Sequence, residues 1–439
     1  MAALATHASA SASNADYKAL VCVFMNGGND SHNWIVPTDA AGYAEYARSR
    51  SSLALPMAAL RNLTSAGRQA AGRGFAMPVE LDPLRDLYER GQLAVLSNVG
   101  PMLQPTTKAD FVAGSGLPPK LFSHNDQASS WQAMAPEGAR SGWGGRMADA
   151  LLSANAYPAF TSVSATGNAV FLSGATATQY QLGNDGAVGI DGLSKGSTLG
   201  SSSVAAVLRR TQGDGAGSAF QADYAKVVGR SIDAYGVLST AMAGAAVPAV
   251  PRISVSVADG GAIVVDQLPL ARQLRSVAQM IAVNQTLGMR RQVFMVSISG
   301  FDTHQGQLRD HPRLSASVAH SVAYFMGEMA RQGMADKVTL FTASDFGRTL
   351  TSNGAGSDHG WGSHHFVAGG AVRGRDIYGR FPLTALGTAD DIGSGRLLPG
   401  ISVTQYAAVL GNWLGVPASD LQTALPNLNR FSTSDLGFV

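Results

Sequence analysis

Apolar runs that stop abruptly at clusters of Gly, Asn, Asp and Ser mark both ends of this chain. Lys18–Met25 is a short β-branched run that halts at Asn26-Gly27-Gly28-Asn29-Asp30. A run of that length bounded by turn residues predicts a buried strand ending in a Gly-rich loop. Pro83, Leu84, Leu87 and Tyr88 then recur at helical spacing, with Asp82 expected as N-cap. Gly91 closes that helix, and Leu93-Ala94-Val95-Leu96 reads as the next strand. Helix, glycine, strand is the rhythm of a parallel α/β sheet.

The rhythm lapses between residues 151 and about 265, where Gly, Ser, Thr and Ala dominate. The short runs Ala159–Val163 and Ala169–Leu172 are expected strands, and Ala219–Met242 an expected helix. This stretch reads as an insertion that shapes a substrate site or packs at the periphery. From Leu268 the α/β pattern returns. Helices are expected at Leu268–Leu287, Pro312–Gln332 and Val403–Leu414, and strands at Gln292–Ser299, Lys337–Ala343 and His365–Gly370.

Composition narrows the function. Of 439 residues, 45% are apolar but only 14% are charged, against roughly 25% in an average domain. A net charge of +2 leaves no electrostatic footprint for nucleic acid. No stretch approaches the roughly 20 apolar residues of a membrane helix. The lone Cys22 excludes an intramolecular disulfide and reads as a small buried hydrophobe. Residues 1–16 read as a flexible tail. Its Ala/Ser-rich start lacks the basic and apolar regions of an intact signal peptide, and is either the remnant of a trimmed one or a plain extension.

The candidate chemistry lies at the strand ends. Asp30, Asp302 and Asp345 each follow an apolar run, and a parallel sheet brings such ends together along one edge. Clustered carboxylates repel one another, and a bound cation is the usual way to hold them. Histidines recur in the same segments: His32, His304, His359, and the pair His364-His365, of which one must point away if the run is a strand. Mixed Asp/His ligation favours Zn²⁺ or Mn²⁺ over Ca²⁺ or Mg²⁺. Ser123 precedes an expected helix at His124–Met134. It is either a helix cap or a hydroxyl nucleophile activated by a nearby cation. Arg348 could fork onto an oxyanion or pair with Asp345. There is no G-x-S-x-G elbow and no phosphate-binding Walker loop.

Taken in order, the segments Phe24–Asn33, Ser123-His124 with Gln127, Gly300–His304, Ser344–Thr349, Asp358-His359-Gly360 and Gly369-Gly370 resemble the bacterial domain-of-unknown-function family numbered 1501. That family is grouped with the alkaline phosphatase superfamily, beside sulfatases and cofactor-independent phosphoglycerate mutases. The resemblance implies a doubly wound, mostly parallel sheet sandwiched by helices, in a single domain over 17–439. It also implies twin-arginine export to the periplasm or beyond, and two metal sites flanking a Ser or Thr nucleophile. Carried over by position, Asp30, Asp302, His304, Asp345, His359 and one of His364 and His365 (His365 being the stronger candidate) would bind metal. Ser123 would attack or position water, His124 would act as acid/base, and Arg348 would steady the oxyanion. The pattern breaks at Phe346, where a metal-binding histidine is expected, and the nucleophile segment of formylglycine sulfatases is absent. The expected function is an exported metal-dependent hydrolase of phosphate or sulfate esters, small or polysaccharide. The alternative is a non-catalytic secreted or surface-associated scaffold of the same fold. A glycosidase with paired carboxylates would leave the histidines unused.

Overall fold

In the computed structural model, which describes residues 16–64, 67–184, 186–190, 201–213, 218–257, 260–431 and 436–439, the first apolar run is a strand, β1 (Lys18–Asn26), buried from Ala19 to Met25. All but one residue of the expected N-terminal tail, and much of the Gly/Ser run from Leu193 to Val204, lie outside the described residues. Alternate side chains of β1 enter two separate cores. Ala19, Val21, Val23 and Met25 join one apolar cluster, and Leu20, Cys22 and Phe24 join another. That is the period-two geometry of a strand covered on both faces. Burial in the second cluster pushes the Cys22 thiol far up.

The remaining strands of the main sheet are β2 (Leu93–Gly100), β3 (Ser162–Ser164), β4 (Tyr180–Gly183), β5 (Gly186–Ala187), β6 (Arg291–Ser299), β7 (Val338–Ser344), β8 (Ser363–Ala368), β9 (Ile377–Tyr378) and β10 (Ile401–Ser402). Across the sheet they run β9-β2-β8-β7-β1-β6-β3-β4-β5, with β10 also paired to β2. β7, β1, β6, β3 and β4 are mutually parallel. β8 runs against both its neighbours, and β5 against β4. The expected mostly parallel sheet sandwiched by helices is therefore what the chain forms.

Eight helices matter to the argument: α1 (Ala40–Arg50), α2 (Asp82–Glu89), α3 (His124–Ala133), α4 (Trp143–Leu151), α5 (Ala219–Ala243), α6 (Pro269–Ala282), α7 (Gln307–Arg331) and α8 (Val403–Leu414). Apolar residues of α2, α6 and α7 cover one face of the sheet, and those of α4 and α8 the other. Among the described residues no helix is long and apolar enough to cross a membrane.

Local differences from expectation have simple causes. Asp82 is the first residue of α2 rather than its cap, because the preceding Val79–Leu81 turn runs directly into the helix. α7 begins five residues before Pro312, which its second turn absorbs. In the 151–265 stretch only Ser162 and Val163 of the first expected strand pair, in a strand that runs on to Ser164, and Val170–Leu172 is a 3-10 turn. Phe171 and Leu172 are buried by that turn without a ladder, a distinction that short apolar runs do not encode. The same stretch supplies β3, β4 and β5, one edge of the main sheet.

Candidate metal centre

Three adjacent strands end at the centre. Asp345 directly follows β7, Gly27 directly follows β1, and Asp302 lies three residues beyond β6. The Gly27 N–H donates to Asp345 Oδ2 at 3.1 Å. Gly27 (φ +113°) packs so closely that a Cβ there would collide with the Asp302 backbone nitrogen, and a Cβ on Gly28 (φ +84°) would enter the Phe346 ring. These glycines let the strand ends close on one another.

Three histidines arrive from elsewhere: His124 as the first residue of α3, His304 from the loop before α7, and His359 from a loop bridged to Arg348. In each, Nδ1 faces an oxygen that accepts. His359 Nδ1 lies 2.7 Å from the Phe122 carbonyl. His304 Nδ1 lies 3.0 Å from Asp358, and His124 Nδ1 2.8 Å from Asp345. A carbonyl can only accept, and so can an ionised carboxylate, so the proton of each neutral ring sits on Nδ1 and Nε2 carries a lone pair. The three Nε2 atoms then converge on one carboxylate. His304 and His359 Nε2 are 2.8 Å apart. They lie 3.1 and 3.2 Å from Asp302 Oδ1, and His124 Nε2 lies 3.4 Å from Oδ2. Lone pairs packed this closely require positive charge among them, as protons or as a metal ion. A histidine that donates Nδ1–H to an oxygen and offers Nε2 is the arrangement of a metal ligand with its orienting partner. The donor atoms of His124, Asp302 and His359 can all touch one ion, with His304 beside them. Asp302 is 45% exposed, so the centre opens to solvent.

The electrostatics agree with the geometry. Burial alone would raise the Asp302 carboxyl, but Arg348 beside it and the neighbouring histidines hold it below the usual range. The Asp345 hydrogen bond raises His124 against the opposing effect of burial, and burial lowers His359. Asp358 is held low chiefly by the Asn353 hydrogen bond, then by His304.

Several expected site residues take other positions. Asp30 is fully buried away from this cluster, bonded to Arg50 of α1 and Gln307 of α7. Its charge is already balanced by a guanidinium. His365 lies on the opposite side of β8 from His364. It hydrogen-bonds Thr342 and packs against Trp131 at 4.8 Å, so it does not reach the cluster. Arg348 is only 1% exposed and is spent on Asp302, the Gly27 carbonyl and Ser357. It fixes Asp302 and is not free to clamp an oxyanion or to pair with Asp345. Ser123 occupies the N-cap of α3, but its hydroxyl donates to Asp126 at 2.8 Å instead of accepting a backbone N–H. Phe346 fills the place of the expected histidine, its ring 4.5 Å from His359 and 4.8 Å from His124.

The sequence did not disclose the Phe122 carbonyl, because a backbone oxygen leaves no residue signature, nor the Arg50 partner of Asp30. Asp358 was visible as the residue before His359, although its partner proves to be His304.

Among solved structures, the chain is similar to Ps i-CgsB in complex with k-i-k-neocarrahexaose, at 8% identity and a TM-score of 0.38, over 95% of this chain and 77% of that one. It is also similar to the phosphonate monoester hydrolase SpPMH from Silicibacter pomeroyi, at 9% identity and a TM-score of 0.36, over 91% and 74% of the two chains. No curated protein matches. Residues 229–396, which run from α5 through Asp302, His304, Asp345 and His359, match the model of the family described as Protein of unknown function (DUF1501).

Proposed function

We propose that this protein is an exported hydrolase of phosphate or sulfate esters built around a single divalent metal ion. The observation that carries the metal is the convergence of three Nε2 lone pairs on Asp302, each ring fixed by an oxygen at Nδ1. The donor set, nitrogen-rich with one carboxylate, fits Zn²⁺ best and Mn²⁺ next. His124, Asp302, His304 and His359 would hold the ion. Bound there, it would supply Lewis-acid stabilisation to charge developing on an ester oxygen. The ester class rests on the resemblance of the ordered motifs to the alkaline phosphatase superfamily.

The chain's own groups divide the remaining work. Ser123 lies between Phe122 and His124, both of which touch the cluster, and is the proposed nucleophile. Asp126, buried and hydrogen-bonded to the Ser123 hydroxyl, takes its proton. Arg348 positions Asp302, and Asp345 orients His124. Phe346 walls the His124 and His359 rings and limits the centre to one ion.

The test is elemental analysis of the purified protein, followed by turnover of aryl phosphate, phosphodiester and aryl sulfate with Zn²⁺, Mn²⁺, Mg²⁺ or Ca²⁺ added. About one ion per chain, lost in His359→Ala and Asp302→Ala together with turnover, is the expected result. Absence of stoichiometric metal with every ester left intact would overturn it. The competing reading, a non-catalytic scaffold, draws on the aromatic wall at Phe346 and the engaged Arg348. It requires the same tests to give neither metal nor turnover. Export is checked by fractionating cells that carry the native gene.

A further inference from the structure

A polar cleft of about 420 Å³ opens beside the metal centre, between α3 and the ends of β1, β3 and β6. Its lip is continuous with the centre: Asn26 immediately precedes Gly27, and Asn125 immediately follows His124. Four amides and three hydroxyls line the cleft, beside a few small or apolar residues such as Ala128 and Met295. Among the described residues, Glu137 is the one charged residue in the lining, and neither lysine nor arginine contributes.

The amides are held in a particular way. Asn125 Nδ2 donates to Glu137 at 3.1 Å, and Asn26 Nδ2 donates to Ser299 at 3.4 Å, which leaves both Oδ1 atoms as acceptors. Gln132 Oε1 accepts the Phe171 N–H at 3.2 Å, and Asn168 Oδ1 accepts from Gln181 at 2.9 Å, which leaves both terminal NH₂ groups as donors. Each amide is anchored by one end and presents the other. Two acceptors and two donors around one cleft match a ligand whose groups each donate and accept, which is the character of a hydroxyl. An anion would find a carboxylate and no cation. An apolar ligand would strip these amides of water without replacing their hydrogen bonds.

We infer that this cleft binds neutral sugar hydroxyls, and that the alcohol part of the substrate is a carbohydrate whose unit here bears no phosphate or sulfate. The placement of the ester itself at the metal rests on the function proposed above, whereas sugar binding in the cleft does not. Asn26, Asn125, Gln132 and Asn168 are assigned to specificity and not to chemistry.

The experiment has two arms. Saturation-transfer NMR of the intact protein is run with a panel of neutral hexasaccharides (cellohexaose, maltohexaose, xylohexaose and mannohexaose). At least one should bind, about tenfold more weakly in Asn168→Ala and in Gln132→Ala, the loss expected for one hydrogen bond, and unchanged in His359→Ala. In the second arm the same two cleft variants should raise KM about tenfold for a disaccharide monophosphate, whose second unit carries no ester, while leaving turnover of p-nitrophenyl phosphate unaltered. Binding that persists without any ester turnover keeps the cleft assignment and removes the hydrolase. Aryl phosphate turnover with no hexasaccharide bound, or with equal binding in both cleft variants, overturns the cleft assignment alone.

Discussion

Asp30 and Asp302 occupy comparable places in the sequence and opposite places in the physics. Asp302 is half open to water and faces three ring nitrogens. Asp30 has no exposure and meets a guanidinium. Burial by itself would raise its carboxyl, but the Arg50 charge, helped by His32 and His311, brings it down to about 2. Asp30→Asn would leave Arg50 as a buried, uncompensated cation, at a cost of about 3–5 kcal/mol. The expected outcome is a large fall in the urea midpoint with the metal content per folded chain unchanged. Loss of the metal from a stable Asp30→Asn protein would return Asp30 to the centre. Asp358 is the reverse case. It is 48% exposed and its contribution is to hold His304 Nδ1–H. Asp358→Asn should lower Zn²⁺ affinity about 10- to 100-fold, as orienting partners of metal ligands generally do, with little change in stability. Calorimetric titration with Zn²⁺ measures the first and thermal unfolding the second.

At the scale of elements, the β1 end leaves no room for a side chain. Ala at position 27 would adopt a left-handed backbone and drive its Cβ into the nitrogen of Asp302. Since Gly27 also donates to Asp345, Gly27→Ala should separate the β1, β6 and β7 ends and loosen the centre from two sides. The variant is expected to fold with its stability lowered by about 1–3 kcal/mol, read from the urea midpoint, and with stoichiometric Zn²⁺ binding abolished. Native Zn²⁺ affinity in Gly27→Ala would show that the close approach is not needed. The strand ends that carry this site were legible in the sequence because buried parallel strands are written as uninterrupted apolar runs with loop residues after them. That pattern put Asp302 and Asp345 just beyond the ends of two strands, where the structure has them, although Asp345 meets His124 Nδ1 and not the converging Nε2 atoms. It could not separate Asp30 from them, because the deciding partner, Arg50, comes from a helix twenty residues away with weak apolar patterning. It also could not fix the fate of His365. That residue sits on a strand as anticipated, but the strand runs antiparallel and turns the ring into the Trp131 core. The Ser123 hydroxyl was ambiguous for a different reason: cap and nucleophile call for the same residue at the same position, and its contact with Asp126 depends on a side-chain torsion.

For the whole molecule, scarcity of charge matters most in acid. His311 and His365 are fully buried, and burial lowers them to about 4 and about 3. His364 is lowered well below its ordinary range by the same cause, then by its histidine neighbours. An unfolded chain takes up protons on these rings near pH 6.5, whereas the folded chain refuses them. Their stabilising effect is therefore complete above pH 6.5 and is lost as the pH falls toward 4 and then 3. By pH 5 the loss is about 2 kcal/mol for each of His311 and His365, from 1.36 kcal/mol per pH unit. Asp30, depressed to about 2, begins to lose its own contribution only below about pH 4, the ordinary carboxylate range. The acid limb of the stability curve should therefore open near pH 6, well before the carboxylates titrate. Urea midpoints measured from pH 7.5 to 4.5 should begin to fall below about pH 6.5 and reach their full slope below about pH 5.5, and His365→Gln, which cannot take the proton, should flatten that slope. A curve level down to pH 4.5 in the native chain would mean that the buried rings are protonated in the fold. The few charges of this chain would then be balanced by partners other than those its core provides.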